Sequence, residues 1–161
     1  MAGKERSGYS NAAADLYRGA SMIFTPYGWT DSAIVERLKA IFGEIGFARF
    51  VVTSPARHDE MIAYTSQLAH VVSSAYVRDE LSGSHLGFSA GSYKDMTRVA
   101  WLNPQMWAEL FLENRENLLF ELGTLIEDLT KYKDAIERND FGTLRQLLDD
   151  GRRIKEEVDG K

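Results

Sequence analysis

The sequence predicts a mainly α-helical protein, in which a small parallel βαβ remnant of a larger α/β domain precedes an all-helical domain with long helices. Three observations predict this fold. Two short apolar runs near the amino terminus flank a segment of helical periodicity, every signal after Pro55 is helical, and the apolar repeat after Pro104 continues for about nine turns. We therefore predict domains at residues 1–54 and 55–161.

The first domain starts in a turn-rich segment, and a short helix is expected from Asn11 to Tyr17, ending at Gly19. Strands are predicted at residues 21–25 and 47–53, because both runs are short and apolar. Strand, crossover helix and strand imply a right-handed parallel unit. Two strands are too few to stand alone, so we expect the beginning of this domain to lie upstream of Met1.

The crossover helix is predicted to begin at a cap supplied by Thr30 or Asp31. Its inner face is expected to contain four apolar residues at helical spacing. They are Ile34, Leu38, Ile41 and Phe42.

A long helix is predicted to start at Ser54-Pro55, since a hydroxyl can cap the free amides and proline needs no N–H in the first turn. One face of this helix is apolar and predicted to be buried. It consists of Met61, Tyr64, Leu68, Val72 and Ala75. A second face carries small and polar residues, which favour the wall of a polar cavity because unpaired buried groups cost about 1–3 kcal/mol each. It consists of Asp59, Ala63, Ser66, His70 and Ser73.

A flexible loop at residues 87–91 leads to a short helix predicted to start at Ser92 and to end near Leu102. Asp95 and Arg98 lie one turn apart on that helix, so an acid can orient a guanidinium that is suited to gripping a carboxylate. Asn103-Pro104 starts the next helix, with Trp107 in its first turn.

The apolar positions after Pro104 predict one helix of about nine turns, broken at Asn139-Asp140 and followed by a last amphipathic helix. The long helix is defined by Phe111, Leu118, Leu122, Leu125, Leu129, Tyr132 and Ile136. The last helix is defined by Leu144, Leu147, Leu148, Ile154 and Val158. Helices this long outrun a compact monomer, so we expect them to pack against a second copy of the chain.

Composition excludes several classes of function. A net charge of -5 leaves no basic stripe for a nucleic acid backbone, and the absence of cysteine removes disulfides, thiolate catalysis and cysteine zinc sites. The amino terminus lacks the apolar core of a signal peptide, and no apolar run approaches the length of a membrane span. We therefore expect a cytoplasmic protein with no membrane and no nucleic acid partner.

Six short motifs follow one another along the chain. They are MAGKERSGY at 1–9, MIFTP at 22–26, HD at 58–59, SQLAH at 66–70, YKDMTRVA at 93–100 and NPQMW at 103–107. In this order and spacing they resemble the prephenate dehydrogenase family over nearly the whole chain. The resemblance implies a Rossmann-type nucleotide-binding domain followed by a helical dimerisation domain. It also implies oxidative decarboxylation of prephenate to 4-hydroxyphenylpyruvate, with hydride transfer to NAD or NADP, in tyrosine synthesis.

The chain departs from the family pattern in three places. It has no strand followed by G-x-G-x-x-G, the family's catalytic histidine belongs to a His-Pro pair expected upstream of Met1, and Ala69 stands where many members have proline. We therefore expect a fragment with no catalytic residue of its own. Alone, it is expected to bind no nicotinamide cofactor tightly and to turn over no substrate.

The resemblance assigns a substrate site residue by residue. Arg98 would hold a substrate carboxylate, while His70 and Ser66 would donate hydrogen bonds to the pyruvyl side chain. Glu5 and Asp95 would be charged gate partners near Arg98. Lys94 would add positive charge and Trp107 would form a wall of the pocket. The ligand, prephenate or its amino analogue arogenate, needs no metal in such a site.

Structural interpretations compete with these assignments. His70 and Trp107 could simply be packing residues of the core. Ser66 could donate a hydrogen bond to a carbonyl of its own helix. Asp95 and Arg98 could form an ordinary ion pair on the surface. The pair His58-Asp59 also occurs in metal-dependent phosphohydrolases, but those enzymes need an upstream histidine and none precedes His58. A non-catalytic helical dimer that senses tyrosine or a related aromatic acid remains the alternative function. The sequence leaves four questions open. They are whether the substrate is prephenate or arogenate, whether the cofactor is NAD or NADP, whether tyrosine inhibits by feedback, and whether the natural gene encodes further domains.

Overall fold

The computed structural model describes residues 8–160. It contains two compact units, one reaching to Leu118 and the other beginning at Leu119. Within the described residues the architecture is a two-stranded parallel sheet with one crossover helix, followed by helices alone. The predicted fold class, a βαβ remnant ahead of long helices, is confirmed. The domain boundary at residues 54 and 55 stays a prediction.

The sheet pairs strand β1 (Ser21–Phe24) with strand β2 (Arg49–Val52) in parallel, with Met22 opposite Phe50. Helix α1 (Ser32–Ile45) connects them and ends at Gly46, whose φ of 115° lies in the left-handed region that glycine tolerates. Aromatic rings fill the space between sheet and helix. The ring centroids of Phe42 lie 5.9 Å from Phe24 and 5.6 Å from Phe47.

Two details of this first segment were predicted wrongly. No helix forms at residues 11–17: a 3-10 turn at Tyr9–Asn11 gives way to extended backbone at Ala12, and turns follow. On α1, Asp31 is the cap, accepting a hydrogen bond from the Ala33 amide. Ile34 and Ile41 are exposed rather than buried, because the helix turns Val35 and Phe42 toward the sheet.

The helix at Ser54-Pro55 begins as predicted, with the Ser54 hydroxyl accepting from the Arg57 amide at 3.2 Å. It is divided into α2 (Pro55–Ile62), a π turn (Ala63–Gln67) and α3 (Leu68–Tyr76). The extra residue of a π turn rotates the two flanking faces by about 100° relative to each other. The predicted apolar face is therefore split, with Met61 and Tyr64 exposed and Leu68 buried.

A 3-10 turn (Glu80–Ser84) leads to helix α4 (Gly91–Thr97), which starts one residue before the predicted Ser92 and has no side-chain cap. The helix does not continue to Leu102. A 3-10 turn (Arg98–Ala100) follows, so Asp95 lies on α4 while Arg98 begins the tighter turn.

The predicted nine-turn helix is in fact two helices, α5 (Pro104–Glu113) and α6 (Arg115–Glu137). Asn114 leaves helical geometry (φ −107°, ψ 31°), because its side chain bonds to neighbouring elements. The cap at Asn103 is confirmed by its bond from the Met106 amide at 3.1 Å. Within residues 8–160, each helix is either too short or too polar to span a bilayer.

Helix α7 (Phe141–Asp159) is the last element and begins where the sequence predicts. Asn139 has a left-handed φ of 51°, and Asp140 caps the helix through the Thr143 amide at 3.0 Å. In the second unit, the Tyr132 hydroxyl donates to the Leu147 carbonyl and joins α6 to α7. Ala135 is fully buried there.

Candidate functional site

The π turn and α3 pair with α5 in antiparallel fashion. The Gln67 amide donates to the Leu110 carbonyl at 3.0 Å, and one turn further along α3 the His70 ring lies 3.9 Å from the Trp107 ring. The partners run in opposite directions along the two helices. This pairing packs the face of α3 that carries His70 against α5.

His70 is held on two sides. Its Nδ1 lies 3.0 Å from the Val99 carbonyl oxygen, and Trp107 packs against its ring at an angle of 51°. A carbonyl can only accept, so Nδ1 carries a proton and the neutral ring presents Nε2 as an acceptor. His70 therefore donates through Nε2 only when the ring is protonated, which refines the predicted role of a hydrogen-bond donor.

The bond to Val99 brings His70 beside the backbone of the turn that begins at Arg98. Arg98 is exposed, and Lys94 and Asp95 are exposed on α4, one turn earlier. Ser66 is half-buried within the π turn, four residues before His70. The structure thus brings His70, Trp107 and the turn at Arg98 together, and convergence of these side chains on one ligand stays a prediction. The predicted gate residue Glu5 lies outside the described residues.

The predicted polar face does not line one cavity. Asp59 is exposed and accepts from His58 at 2.9 Å, whereas Ala63 is fully buried and Ser73 is 1% exposed. The Ser73 hydroxyl has no hydrogen-bond partner within the described part of the chain. The π turn is the physical reason, because it rotates Asp59 away from the face that carries His70.

Sequence reasoning missed the amide side chains beside the site. Gln67 is buried, and its Oε1 accepts from Asn114 Nδ2 at 2.9 Å. An amide one turn before His70, and another in the middle of a predicted helix, are weak signals in a sequence. They become informative only when tertiary structure shows them bonded to each other.

A separate hollow of about 920 Å³ lies between α3 and α4. His85 stacks on Tyr93 with centroids 4.4 Å apart, and its Nδ1 lies 2.8 Å from the Ser89 hydroxyl. The exposed ring of Phe88 and the side chain of Met96 complete part of the wall. His70 and Trp107 do not line this hollow.

The loop from β1 to α1 lacks the features that hold the diphosphate of the nicotinamide cofactor that the resemblance implies. A dinucleotide diphosphate lies against a glycine-rich turn and a free helix N-terminus. Here the loop from β1 to α1 ends at Asp31, whose carboxylate takes the Ala33 amide at 2.9 Å and adds negative charge. These residues do not fit a diphosphate. Among the same residues, no group of three or more His, Asp or Glu is placed to hold a metal ion.

Comparison with known proteins gives consistent matches. The family described as "Prephenate dehydrogenase, dimerization domain" matches residues 54–150. The prephenate dehydrogenase of Bacillus subtilis is 32% identical over 149 residues, which are 89% of this chain and 40% of that protein. The cyclohexadienyl dehydrogenase of Zymomonas mobilis is 33% identical over 87% of this chain and 50% of its own length. The chain thus spans half or less of these two relatives.

A solved structure also has this fold. The prephenate dehydrogenase of Aquifex aeolicus, crystallised with hydroxyphenyl propionate and NAD+, superposes with a TM-score of 0.80 at 29% identity. The match covers 98% of this chain and 57% of that one. Since the family match includes more than half of the chain, this protein belongs to the prephenate dehydrogenase family, in the part described as its dimerization domain.

Proposed function

We propose that this chain supplies the substrate-binding residues and the dimer interface of an NAD(P)-dependent prephenate dehydrogenase. The enzyme would convert prephenate to 4-hydroxyphenylpyruvate in tyrosine synthesis, in the cytoplasm. The observation that carries the proposal is His70, held between the Val99 carbonyl and Trp107 beside the turn of Arg98. A pinned imidazole next to an exposed arginine suits a small organic anion with a ring.

In this proposal each side chain has a distinct role. Arg98 grips a carboxylate with two parallel hydrogen bonds, and Ser66 donates to the pyruvyl side chain. His70 donates to the same group through Nε2 when its ring is protonated, and Trp107 covers the substrate ring. Three further charged residues complete the surroundings of the carboxylate. They are Glu5, Lys94 and Asp95.

The cofactor belongs to the rest of such an enzyme. NAD or NADP would bind to a nucleotide-binding domain, since the loop from β1 to α1 does not fit a diphosphate. The Aquifex aeolicus relative was crystallised with NAD+, which supports this cofactor for the family. No tight binding of either nucleotide is expected for residues 1–161 alone.

The proposed assembly is a homodimer. Apolar side chains of α6 are exposed along one face, and the family match is to a dimerization domain. Monomeric proteins rarely leave large apolar surfaces in water. The exposed residues on this face are Leu119, Ile126, Leu129 and Ile136.

Isothermal titration calorimetry tests the proposed site. Prephenate and 4-hydroxyphenylpyruvate are expected to bind the 161-residue chain more tightly than tyrosine, and Arg98→Ala is expected to weaken both by about 10- to 100-fold. Arg145→Ala, an exposed arginine on α7, is the matched control and should bind like the wild type. Equal binding by the Arg98→Ala variant would remove Arg98 from the site.

The same titration tests a second function. This is a non-catalytic helical dimer that senses tyrosine or a related aromatic acid, a function that also suits the match of residues 54–150 to a dimerization domain. Tightest binding of tyrosine would support that function and contradict a dehydrogenase substrate site. Arogenate, the amino analogue of prephenate, belongs in the series because its ammonium replaces the ketone.

A further inference from the structure

Gln67 is a buried amide whose two ends are both bonded. Its side chain is 4% exposed, Nε2 donates to the Leu110 carbonyl at 3.0 Å, and Oε1 accepts from Asn114 Nδ2 at 2.9 Å. A buried amide must be paired in this way, because an unpaired end costs the desolvation of a polar group. Gln67 is therefore part of a built network and not a surface side chain.

Asn114 extends this network to a third element. Its Nδ2 also donates to the Asp59 carbonyl on α2 at 2.8 Å, and its Oδ1 accepts from Asn117 on α6 at 2.8 Å. Asn114 is the residue at which α5 ends and α6 begins. The amides of Gln67, Asn114 and Asn117, here called the amide relay, thus connect α2 with α5 and α6, the helices on either side of the break.

The amide relay lies one helical turn from the candidate site. Gln67 precedes His70 by three residues, and Leu110 follows Trp107 by three residues on α5. The Gln67–Leu110 bond and the His70–Trp107 contact therefore join the same two chain segments at points one helical turn apart. Ser66 is the immediate neighbour of Gln67 inside the π turn.

We propose that Gln67 is a positioning residue for the substrate site, an inference that rests on the proposed function. Its amide fixes the wide turn and the register of α5, so that the His70 ring lies against Trp107 and Ser66 keeps its direction. Gln67 itself touches no substrate. A glutamine amide suits this position, because its Nε2 donates toward Leu110 while its Oε1 accepts from Asn114.

The inference is tested first without any substrate. In the wild-type chain, the indole of Trp107 should shift the NMR resonances of the His70 ring, because the two rings are 3.9 Å apart. Gln67→Met keeps the length and loses both hydrogen bonds, so it should remove most of that shift. His85, whose ring contacts Tyr93 and Ser89 away from the amide relay, serves as the internal reference and should not change.

Gln146→Met, which loses an exposed bond to Asp150 on α7, is the matched control and should leave His70 unshifted. If Gln67→Met does not fold, Asn114→Ala breaks the amide relay from the other side and should move His70 in the same direction. An unchanged His70 resonance in a folded Gln67→Met or Asn114→Ala chain would overturn the inference. Gln67 would then stabilise the fold without positioning His70.

A kinetic test separates this inference from the proposed function. In a hybrid where these residues replace the matching segment of the Bacillus subtilis relative, Gln67→Met should lower kcat/KM for prephenate by about 10- to 100-fold. KM for NAD is expected to stay unchanged, because the proposed function assigns the nucleotide to the nucleotide-binding domain of the relative. An inactive wild-type hybrid contradicts the proposed function, whereas an active hybrid that Gln67→Met leaves unaltered contradicts the positioning role alone.

Discussion

Leu129 offers a direct test of the proposed homodimer. It lies near the middle of α6 and is 57% exposed in the single chain. At 100° per residue it shares roughly one third of the helix circumference with the exposed Leu119, Ile126 and Ile136. If this face packs against a second copy, Leu129→Glu places a carboxylate in the interface.

The expected loss of dimer stability follows from the surface of Leu129 that is still exposed in the single chain. Full burial of a leucine contributes about 1.5–3 kcal/mol, so the exposed half contributes about 1–1.5 kcal/mol in each chain. Both copies carry the change in a symmetric dimer, which doubles the loss to about 2–3 kcal/mol. Burial of two carboxylates without partners adds several kcal/mol. Dimer dissociation should therefore become at least about 1000-fold more favourable.

Sedimentation equilibrium over a range of protein concentrations measures this change. The wild type should be dimeric at micromolar concentration and Leu129→Glu monomeric. Thr124→Glu adds the same charge to an exposed position on another face of α6, and it should remain dimeric. Dimers of unaltered stability for Leu129→Glu would refute the assignment of this face, and a monomeric wild type would refute the homodimer.

Three further predictions concern the site, the last helix and the isolated chain. Arg98→Lys keeps the charge but loses the planar fork, so calorimetry should show most of the affinity loss of Arg98→Ala; affinity near that of the wild type would argue against two parallel hydrogen bonds. The Thr143 amide and hydroxyl hold the pKa of Asp140 below its ordinary value of 3.8, so this cap stabilises α7 fully above that value and less as the pH falls through the lowered pKa. In circular dichroism melts, Asp140→Asn should lose less stability than the wild type as the pH falls below 3.8. An identical pH profile of the two proteins would exclude this contribution of the Asp140 cap. The 161-residue chain alone should form no NADH from prephenate and NAD, and any steady NADH signal above a blank would contradict this.

Local signals predicted most of the helices and strands correctly. Ser54-Pro55, Asn103-Pro104 and Asp140 begin helices because each needs only a side-chain oxygen near its own amides. The parallel pairing of two apolar runs likewise follows from their spacing around one crossover helix. Such features depend on residues a few positions apart, and a sequence displays those directly.

Two errors near the candidate site have causes that local patterns do not display. The break at Asn114 depends on Gln67 and on the Asp59 carbonyl, which lie 47 and 55 positions away in the chain. The π turn likewise moved Asp59 off the face of His70, although the three- and four-residue spacing of the sequence placed them together. A periodic pattern assumes a regular helix, so it cannot register one extra residue.

Sequence alone determined the fold class, the helix starts at Ser54, Asn103 and Asp140 and the resemblance to a dehydrogenase family, since these rest on short-range periodicity, caps and ordered motifs. Tertiary structure decided which atoms meet at the site. It set the proton of His70 on Nδ1 through the Val99 carbonyl, placed Trp107 on the imidazole and tied both helices through Gln67. The physical reason is that hydrogen bonds and ring contacts act over a few ångströms in space, whatever the distance along the chain.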